Sequence, residues 1–292
     1  MRTLTSVAAG RAACRELAAR GSLGLVPTMG ALHEGHLSLV RAARDGCDGV
    51  VATIFVNPLQ FGAGEDFEAY PRDAERDAAL LAGAGADLAL LLEPPDMYPP
   101  GFCTNVVQSA LGDAFEGAER PGHFTGVLTV VAKLLLLAGA TRAYFGRKDY
   151  QQTVVVRRMV ADLAIPTDIV VCDTVRDADG LARSSRNAYL DADQRRRGLS
   201  LSAGLAAVQA RFAAGERSVA ALEACLADAV ERGVGRAPDY AAIVDPDDLS
   251  TPPAARPGDM ALVAARVGPA RLLDNHVLGA NIGPFPTGSS KP

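Results

Sequence analysis

Two of the four histidines in this sequence, His33 and His36, lie three positions apart in the segment PTMGALHEGH (27–36). The segment follows an apolar run, and its proline and glycine indicate a turn between a strand and a helix. On a helical turn the two imidazoles face the same way, and free N–H groups at a helix start attract anions. We therefore predict a phosphate site. A metal site and two structural histidines are the alternatives, although the spacing lacks the i, i+4 separation of zinc protease helices.

Further polar side chains follow two other apolar runs. Gln60 comes after GVVATIFV (49–56) and offers an amide to a substrate hydroxyl or carboxylate, although a loop glutamine is usually solvated. Lys148 follows RAYFG (142–146), and lysine is a compact charge suited to a shifting phosphate. It is one of three lysines among 29 positive residues, so it stands out in this chain. The alternative is a solvated lysine paired with Asp149.

Two more loops carry hydrogen-bond donors. The segment RPGHFTGV (120–127) presents Arg120 and His123 before a predicted helix. The segment TVRDADGLARSSRN (174–187) combines serine hydroxyls with arginines, a set that suits a triphosphate. The second segment has a simpler interpretation as a polar linker.

The elements that position these loops alternate between apolar strands and helices up to about residue 174. This pattern predicts an α/β fold, a Rossmann-like doubly wound parallel sheet whose ligands lie beyond the carboxyl ends of the strands. Alanine-rich helices and three strand-like runs follow, which predict a smaller α+β C-terminal domain. We expect residues 1–174 to form one domain and residues 175–292 a second that carries the serine segment. The end GPFPTGSSKP (283–292) is typical of disorder.

Composition excludes several classes of protein. With 49% apolar and 22% charged residues the chain is typical of a packed globular protein, and its formal charge of −5 argues against a nucleic-acid partner. No apolar run is long enough to cross a bilayer, and the N-terminus lacks a signal-peptide core. Five scattered cysteines fit a reducing compartment, and we expect each to be a small core residue. We therefore expect a cytoplasmic protein that binds neither nucleic acid nor membrane.

Taken together, these loops closely resemble the pantothenate synthetase (pantoate-beta-alanine ligase) family of the nucleotidyltransferase superfamily. The first histidine motif alone is shared with class I aminoacyl-tRNA synthetases and indicates only the superfamily. The joint match extends from about residue 23 to 275 and is highly specific. It consists of PTMGALHEGH, IFVNPLQFG with EDFEAYPR, HFTGVLTVVAKLL, AYFGRKDYQQ, TVRDADGLARSSRNAYL and LVAARVGPARLLDN.

The resemblance implies an enzyme that condenses pantoate with beta-alanine at the expense of ATP, through pantoyl adenylate, with release of AMP and pyrophosphate. It also implies a homodimer and Mg²⁺ accompanying ATP, whose protein ligands the sequence does not assign. The family resemblance further implies that residues 1–174 bind the nucleotide and pantoate and that residues 175–292 form a lid. Gln60 and Gln152 would hold pantoate, and Gln60 would also meet beta-alanine. The residues implied in catalysis are His36, His33, Lys148 and Arg186. The residues implied at ATP are Met29, Gly30, Ala31, Leu32, His33, Glu34, Gly35, His36, Gly146, Arg147, Lys148, Asp149, Val175, Arg183, Ser184, Ser185 and Arg186.

One position departs from the family pattern. Arg183 stands where the family usually has an apolar residue such as methionine or leucine. The charge would either tighten phosphate binding or disturb the packing of the serine segment, and we expect activity to survive. The alternatives are a related enzyme that activates another acid, a non-catalytic nucleotide-binding or dimerisation protein, and, least favoured, a metal hydrolase.

Overall fold

The structure is a computed structural model that describes residues 1–62 and 64–280. The chain divides into two units. The first contains Met1–Arg147 and Gln151–Asp173, and the second contains Lys148–Tyr150 and the described residues from Thr174 onward. The segment 283–292, expected to be disordered, lies outside the described residues.

The first unit is built on a parallel six-stranded sheet with the order β1-β4-β3-β2-β5-β6. Continuous apolar runs form its central strands, which are buried on both faces. The predicted doubly wound parallel fold is confirmed. The strands are β1 (Arg2–Leu4), β2 (Leu23–Thr28), β3 (Gly49–Ile54), β4 (Leu88–Leu91), β5 (Arg142–Gly146) and β6 (Asp168–Cys172).

Helices cover both faces of this sheet because successive strand residues point to opposite sides. Leu25 packs in the cluster that includes α6, whereas Val26 packs in the cluster that includes α2. The helices are α1 (Val7–Ala18), α2 (Glu34–Gly46), α3 (Ala74–Ala84), α4 (Pro94–Met97), α5 (Glu116–Glu119), α6 (His123–Ala138) and α7 (Tyr150–Asp162). Two 3₁₀ turns, Pro58–Gln60 and Arg147–Asp149, follow β3 and β5.

The sequence analysis placed no element before residue 23, yet β1 and α1 occupy that segment. Ser6 caps α1 by accepting a hydrogen bond from the Ala9 N–H group. The helix buries small residues such as Ala13 and Cys14. Because its fully buried positions are small residues, the segment does not stand out as a run of large apolar side chains.

The second unit combines an antiparallel sheet, in the order β7-β8-β9, with two helices. Leucines and valines of both helices, including Leu205 and Leu226, pack with sheet residues such as Ile243 and Val263. The predicted α+β C-terminal part is confirmed. Its elements are α8 (Ala192–Ala213), α9 (Val219–Val234), β7 (Tyr240–Val244), β8 (Met260–Val267) and β9 (Ala270–Val277), with a 3₁₀ turn over Ser185–Tyr189.

The expectation that every cysteine is a core residue is wrong. Cys14 and Cys47 are buried, whereas Cys172 and Cys225 are half-buried. Cys103 is exposed, because it follows a turn at Pro99–Phe102 outside the helices and strands. All five carry free thiols.

Candidate active site

The carboxyl ends of β2, β3 and β5 lie side by side at one edge of the sheet. From β2 the chain proceeds through β3 and β4 to one side, and β5 and β6 lie on the other side. The order therefore reverses between β2 and β5, the place where open α/β sheets bind ligands. The loops that leave this edge carry three of the predicted sets, in residues 29–36, 57–60 and 146–147.

The two histidines cap the first turn of α2 for each other. His33 is the N-cap residue, and its Nδ1 accepts a hydrogen bond from the Gly35 N–H group at 3.1 Å. In return, the Nδ1 atom of His36 accepts one from the His33 N–H group at 3.4 Å. The ring centroids are 4.1 Å apart. The predicted pairing of the imidazoles is confirmed, and it takes the form of a capping box.

This arrangement determines what the rings offer to a ligand. A neutral imidazole whose Nδ1 accepts a hydrogen bond carries its proton on Nε2 and donates from there. His33 and His36 are therefore a pair of potential donors held at a helix start. One expectation is wrong in part, because the Gly35 N–H group is taken by His33 and is not free for an anion.

Asp77 of α3 anchors the loop before the histidines, and the sequence analysis missed it. It is 1% exposed, and its Oδ1 accepts a hydrogen bond from the Leu32 N–H group at 2.9 Å. The loop turns through left-handed conformations at Gly30 (φ 83°) and Ala31 (φ 50°). A Cβ at Gly30 would lie 3.0 Å from the other Asp77 oxygen, so the close approach favours glycine. The available signal was an aspartate four residues before Leu81 on the buried face of α3.

Gln60 joins the second loop to the first. Its Nε2 lies 3.1 Å from the sulfur of Met29, so two of the predicted binding residues are in contact. Its Oε1 accepts a hydrogen bond from Asn57 Nδ2 at 3.0 Å. Asn57 is 1% exposed and also bonds the Gly126 carbonyl group at 3.1 Å. The Gln60 amide is therefore held by a buried neighbour.

Arg120 and His123 brace the backbone of Gln60. The Arg120 guanidinium binds both carboxylate oxygens of Glu65, at 2.8 and 2.5 Å, and the Gln60 carbonyl group at 3.1 Å. Because Arg120 also donates to His123 Nε2 at 3.0 Å, the proton of that ring lies on Nδ1, which donates to the Gln60 carbonyl group at 2.9 Å. Hydrogen bonding by Arg120 lowers the pKa of Glu65.

The two glutamines at the start of α7 differ in their surroundings. Gln151 is 4% exposed. Its Oε1 accepts a hydrogen bond from the Glu116 N–H group, and its Nε2 donates to the Leu111 and Ala114 carbonyl groups. Gln152 is half-buried, and no hydrogen bond joins its side chain to any residue within 1–62 and 64–280. Gln151 is therefore structural, and Gln152 is the glutamine whose amide the described protein leaves uncommitted.

Lys148 lies in the second unit, where it lines a small pocket with Ser184 and Asp274. Its carbonyl oxygen accepts a hydrogen bond from Asn275 Nδ2 at 2.9 Å, and its Nζ lies 3.3 Å from Asp149. The Lys148 side chain is 19% exposed, and the pair with Asp149 that the alternative interpretation expects is present. The pocket volume of about 10 Å³ admits roughly one water molecule.

The serine segment forms a capped turn next to this lysine. The Ser184 hydroxyl oxygen accepts a hydrogen bond from the Arg186 N–H group, and Ser185 begins the 3₁₀ turn. The Arg183 N–H group bonds the Val175 carbonyl at 2.9 Å, which brings two predicted ATP residues together. The Arg183 guanidinium pairs with Asp177 at 2.6 Å, so its charge is balanced within the unit.

Glu34 and Arg147 of the predicted set have ion-pair partners within the first unit. Glu34 pairs with Arg41 further along α2. Arg147 pairs with Asp173 at 2.5 Å, and Gly146 ends β5. The structure thus gathers the predicted residues into two sets, one in each unit.

Two other features are absent from the part of the chain that the structure describes. No group of three or more His, Cys, Asp or Glu residues within it is arranged to hold a metal ion. No helix of that part is long and apolar enough to span a membrane. The interpretation of His33 and His36 as a metal site therefore lacks a third ligand among the described residues.

Comparison with known proteins identifies the family of this chain. A family profile described as pantoate-beta-alanine ligase matches residues 2–277. A pantothenate synthetase from Roseiflexus sp. (strain RS-1) is 50% identical over 280 residues, which cover 96% of this chain and 100% of that protein. One from Acidobacterium capsulatum is 50% identical over 291 residues, covering 96% and 97% of the two chains.

Solved structures agree with the sequence matches. The crystal structure of pantothenate synthetase from Thermus thermophilus has a TM-score of 0.90 at 49% identity and covers 95% of this chain and 99% of its own. A pantoate-beta-alanine ligase from Francisella tularensis, complexed with beta-gamma ATP and beta-alanine, has a TM-score of 0.77 at 30% identity, with 95% and 97% covered. ATP-dependent ligation of pantoate to beta-alanine is the activity of this family. This chain belongs to the pantoate-beta-alanine ligase family.

Proposed function

We propose that the chain condenses pantoate with beta-alanine in two steps through pantoyl adenylate. The observation that carries this proposal is the edge between β2 and β5, where paired imidazole donors at a helix start adjoin a loop whose Gln60 contacts Met29. Such an edge suits a nucleotide and a small acid together. The ATP- and beta-alanine-bound relative from F. tularensis supports the same substrates.

In the first step the pantoate carboxylate attacks the α-phosphorus of ATP, and pyrophosphate leaves with the electrons of the broken P–O bond. In the second step the beta-alanine amine attacks the acyl carbon of the mixed anhydride, AMP leaves, and the amine nitrogen loses a proton. No protein nucleophile takes part. Alignment of the reactants contributes up to about 7–11 kcal/mol to such reactions, and one well-placed donor contributes about 3–4 kcal/mol.

Each predicted residue then has a role in this proposal. His33 and His36 donate from Nε2 to phosphate oxygens that gain charge, with His36 as the proton donor. Lys148 and Arg186 neutralise the phosphates. Gln60 and Gln152 hold pantoate, and Gln60 also meets beta-alanine. The other residues implied at ATP remain proposed ATP contacts.

Three further properties belong to the proposal. Mg²⁺ would enter with ATP and neutralise phosphate charge; no protein ligand is assigned to it, and phosphate oxygens and water can supply its ligands. The enzyme acts as a homodimer in the cytoplasm, as the resemblance implies. The assignment of residues 1–174 to binding and of residues 175–292 to a lid stays a prediction.

The test is to incubate the purified protein with ATP, Mg²⁺, pantoate and beta-alanine. We expect AMP and an amide product in equal amounts, and exchange of labelled pyrophosphate into ATP that requires pantoate but not beta-alanine. Exchange supported by a different hydroxy acid and not by pantoate would assign the chain another substrate. No exchange with any acid would contradict the adenylate mechanism.

A further inference from the structure

A line of hydrogen-bonded polar groups runs from Tyr98 through the buried Asn57 to Gln60. The Tyr98 hydroxyl donates to Asn57 Oδ1 at 2.7 Å, and Asn57 Nδ2 donates to Gln60 Oε1 at 3.0 Å. Asn57 is 1% exposed, so water does not replace these bonds. The line links a residue outside the predicted sites to the amide proposed to hold the acid.

Backbone groups fix the direction of every bond in this line. The Gly126 carbonyl group can only accept, and it faces Asn57 Nδ2 at 3.1 Å. The Leu59 N–H group can only donate, and it faces Asn57 Oδ1 at 3.3 Å. Asn57 therefore donates an N–H group to Gln60, and the Gln60 atom that accepts it is Oε1. The Nε2 donors of Gln60 consequently face Met29 in the histidine loop.

Tyr98 is held in place from several sides. Its ring centroid lies 5.9 Å from that of Phe55 and 4.9 Å from that of Phe102, and Lys133 Nζ lies 5.8 Å above it. Burial raises the pKa of Tyr98, so its hydroxyl remains protonated and acts as a donor. The ring therefore delivers its hydrogen bond to Asn57 from a fixed position.

We propose that Tyr98 is a positioning residue that, through Asn57, holds the Gln60 amide with its N–H donors turned toward the acid substrate. This inference rests on the proposed function and adds a direction to it. Gln60 serves the substrate through its Nε2 donors, because its oxygen faces Asn57 and its Nε2 faces the histidine loop. Without the tyrosine hydroxyl, Asn57 Oδ1 loses its shortest hydrogen bond. The Asn57 side chain, and with it the Gln60 amide, is then held less firmly.

The test compares Tyr98→Phe with Tyr144→Phe. Each removes one hydroxyl from a tyrosine of the first unit, half-buried at Tyr98 and buried at Tyr144, but the Tyr144 hydroxyl contacts Cys47 and not Asn57. We expect Tyr98→Phe to raise the KM for pantoate about 3- to 10-fold, the usual effect of one lost hydrogen bond, with the KM for ATP unchanged. Tyr144→Phe should leave both constants unchanged. Circular dichroism at the assay temperature confirms that each variant is folded.

A double-mutant cycle separates positioning from general loosening. In a Gln60→Ala background, Tyr98→Phe should change the KM for pantoate by less than about twofold, because the group it positions is gone. If Tyr98→Phe raised the KM for pantoate in the Gln60→Ala background as much as it does alone, the inference would be overturned. An unchanged KM for pantoate in the Tyr98→Phe single variant would overturn it as well. Absence of pantoate-dependent pyrophosphate exchange in the unsubstituted protein would overturn the proposed function instead.

Discussion

At the scale of single residues, His33 and His36 serve the backbone and the proposed chemistry with different ring atoms. Nδ1 of each ring caps the start of α2, while Nε2 carries the proton. An alanine at either position removes a cap, worth about 1 kcal/mol, as well as a donor. Asparagine at position 33 retains a capping oxygen and therefore isolates the loss of the imidazole.

Lys148→Ala should reduce turnover far more than stability. The Lys148 carbonyl group, and not its ammonium, holds Asn275, so the backbone contact survives the substitution. We expect kcat to fall roughly 10²- to 10³-fold, as for removal of a group that acts in the transition state. Steady-state kinetics and thermal unfolding measure the two effects. Near-normal turnover of the folded variant would remove Lys148 from the mechanism.

Arg183→Met should change little. The Arg183 side chain is 38% exposed and its partner Asp177 also pairs with Arg195 at 2.8 Å, so the carboxylate keeps one guanidinium. An exposed pair of this kind is worth about 0–1 kcal/mol. We expect kcat within about tenfold of the original value, since about 1.36 kcal/mol of barrier is tenfold in rate. An increase in kcat of several orders of magnitude would show that Arg183 severely impairs catalysis.

Glu65→Gln should alter the acid side of the stability profile. The folded pKa of Glu65 lies below its ordinary value of 4.5 because Arg120 binds its ionised form. The pair therefore stabilises the fold fully above pH 4.5 and loses this contribution as the pH falls through the lower folded pKa. The midpoint temperature of thermal unfolding should accordingly fall less steeply on acidification for Glu65→Gln than for the unsubstituted protein. Parallel profiles for both proteins would contradict this prediction.

At the scale of elements, the contact between α6 and the 3₁₀ turn at Pro58–Gln60 depends on a glycine. A Cβ at Gly126 would lie 2.2 Å from the Leu59 carbonyl oxygen and 2.6 Å from the Gln60 nitrogen. Backbone atoms cannot move aside as a flexible side chain does. The helix and the turn must therefore separate if any larger residue is introduced.

Gly126→Ala should lower both stability and affinity for pantoate. Overpacking of this kind costs about 1–3 kcal/mol, and the displaced turn carries Gln60. Gly83→Ala in α3 is a matched control, because a Cβ there meets nothing within 4 Å. Thermal unfolding and the KM for pantoate check both effects. A Gly126→Ala protein as stable as the control would contradict the close approach.

Elements were predicted better from the sequence than their side-chain contacts. The expected strands RAYFG and MALVAARV coincide with β5 and β8, since apolar periodicity and flanking turn residues mark such elements. Asp77 and Tyr98 were not found. Their partners lie 45 and 41 residues away along the chain. Such partners are set by packing across the sheet, which local composition does not encode.

At the scale of the whole molecule, the second unit is discontinuous in sequence. Residues 148–150 belong to it, and Tyr150 donates to the Pro246 carbonyl group at 2.9 Å. A fragment that begins at residue 175 lacks this segment. We expect it to exchange the backbone amides of β7–β9 faster than the intact chain does. Equal protection in hydrogen exchange would show that the segment contributes nothing to the stability of the unit.

The same discontinuity imposes an order on biosynthesis. The carbonyl group of Lys148 leaves the ribosome 127 residues before the Asn275 amide that binds it. During translation the segment after β5 therefore lacks that bond until β9, the last described strand, has been made. The proposed phosphate-binding lysine acquires this backbone anchor only after β9 has been made, so a nascent chain stalled before β9 lacks the bond.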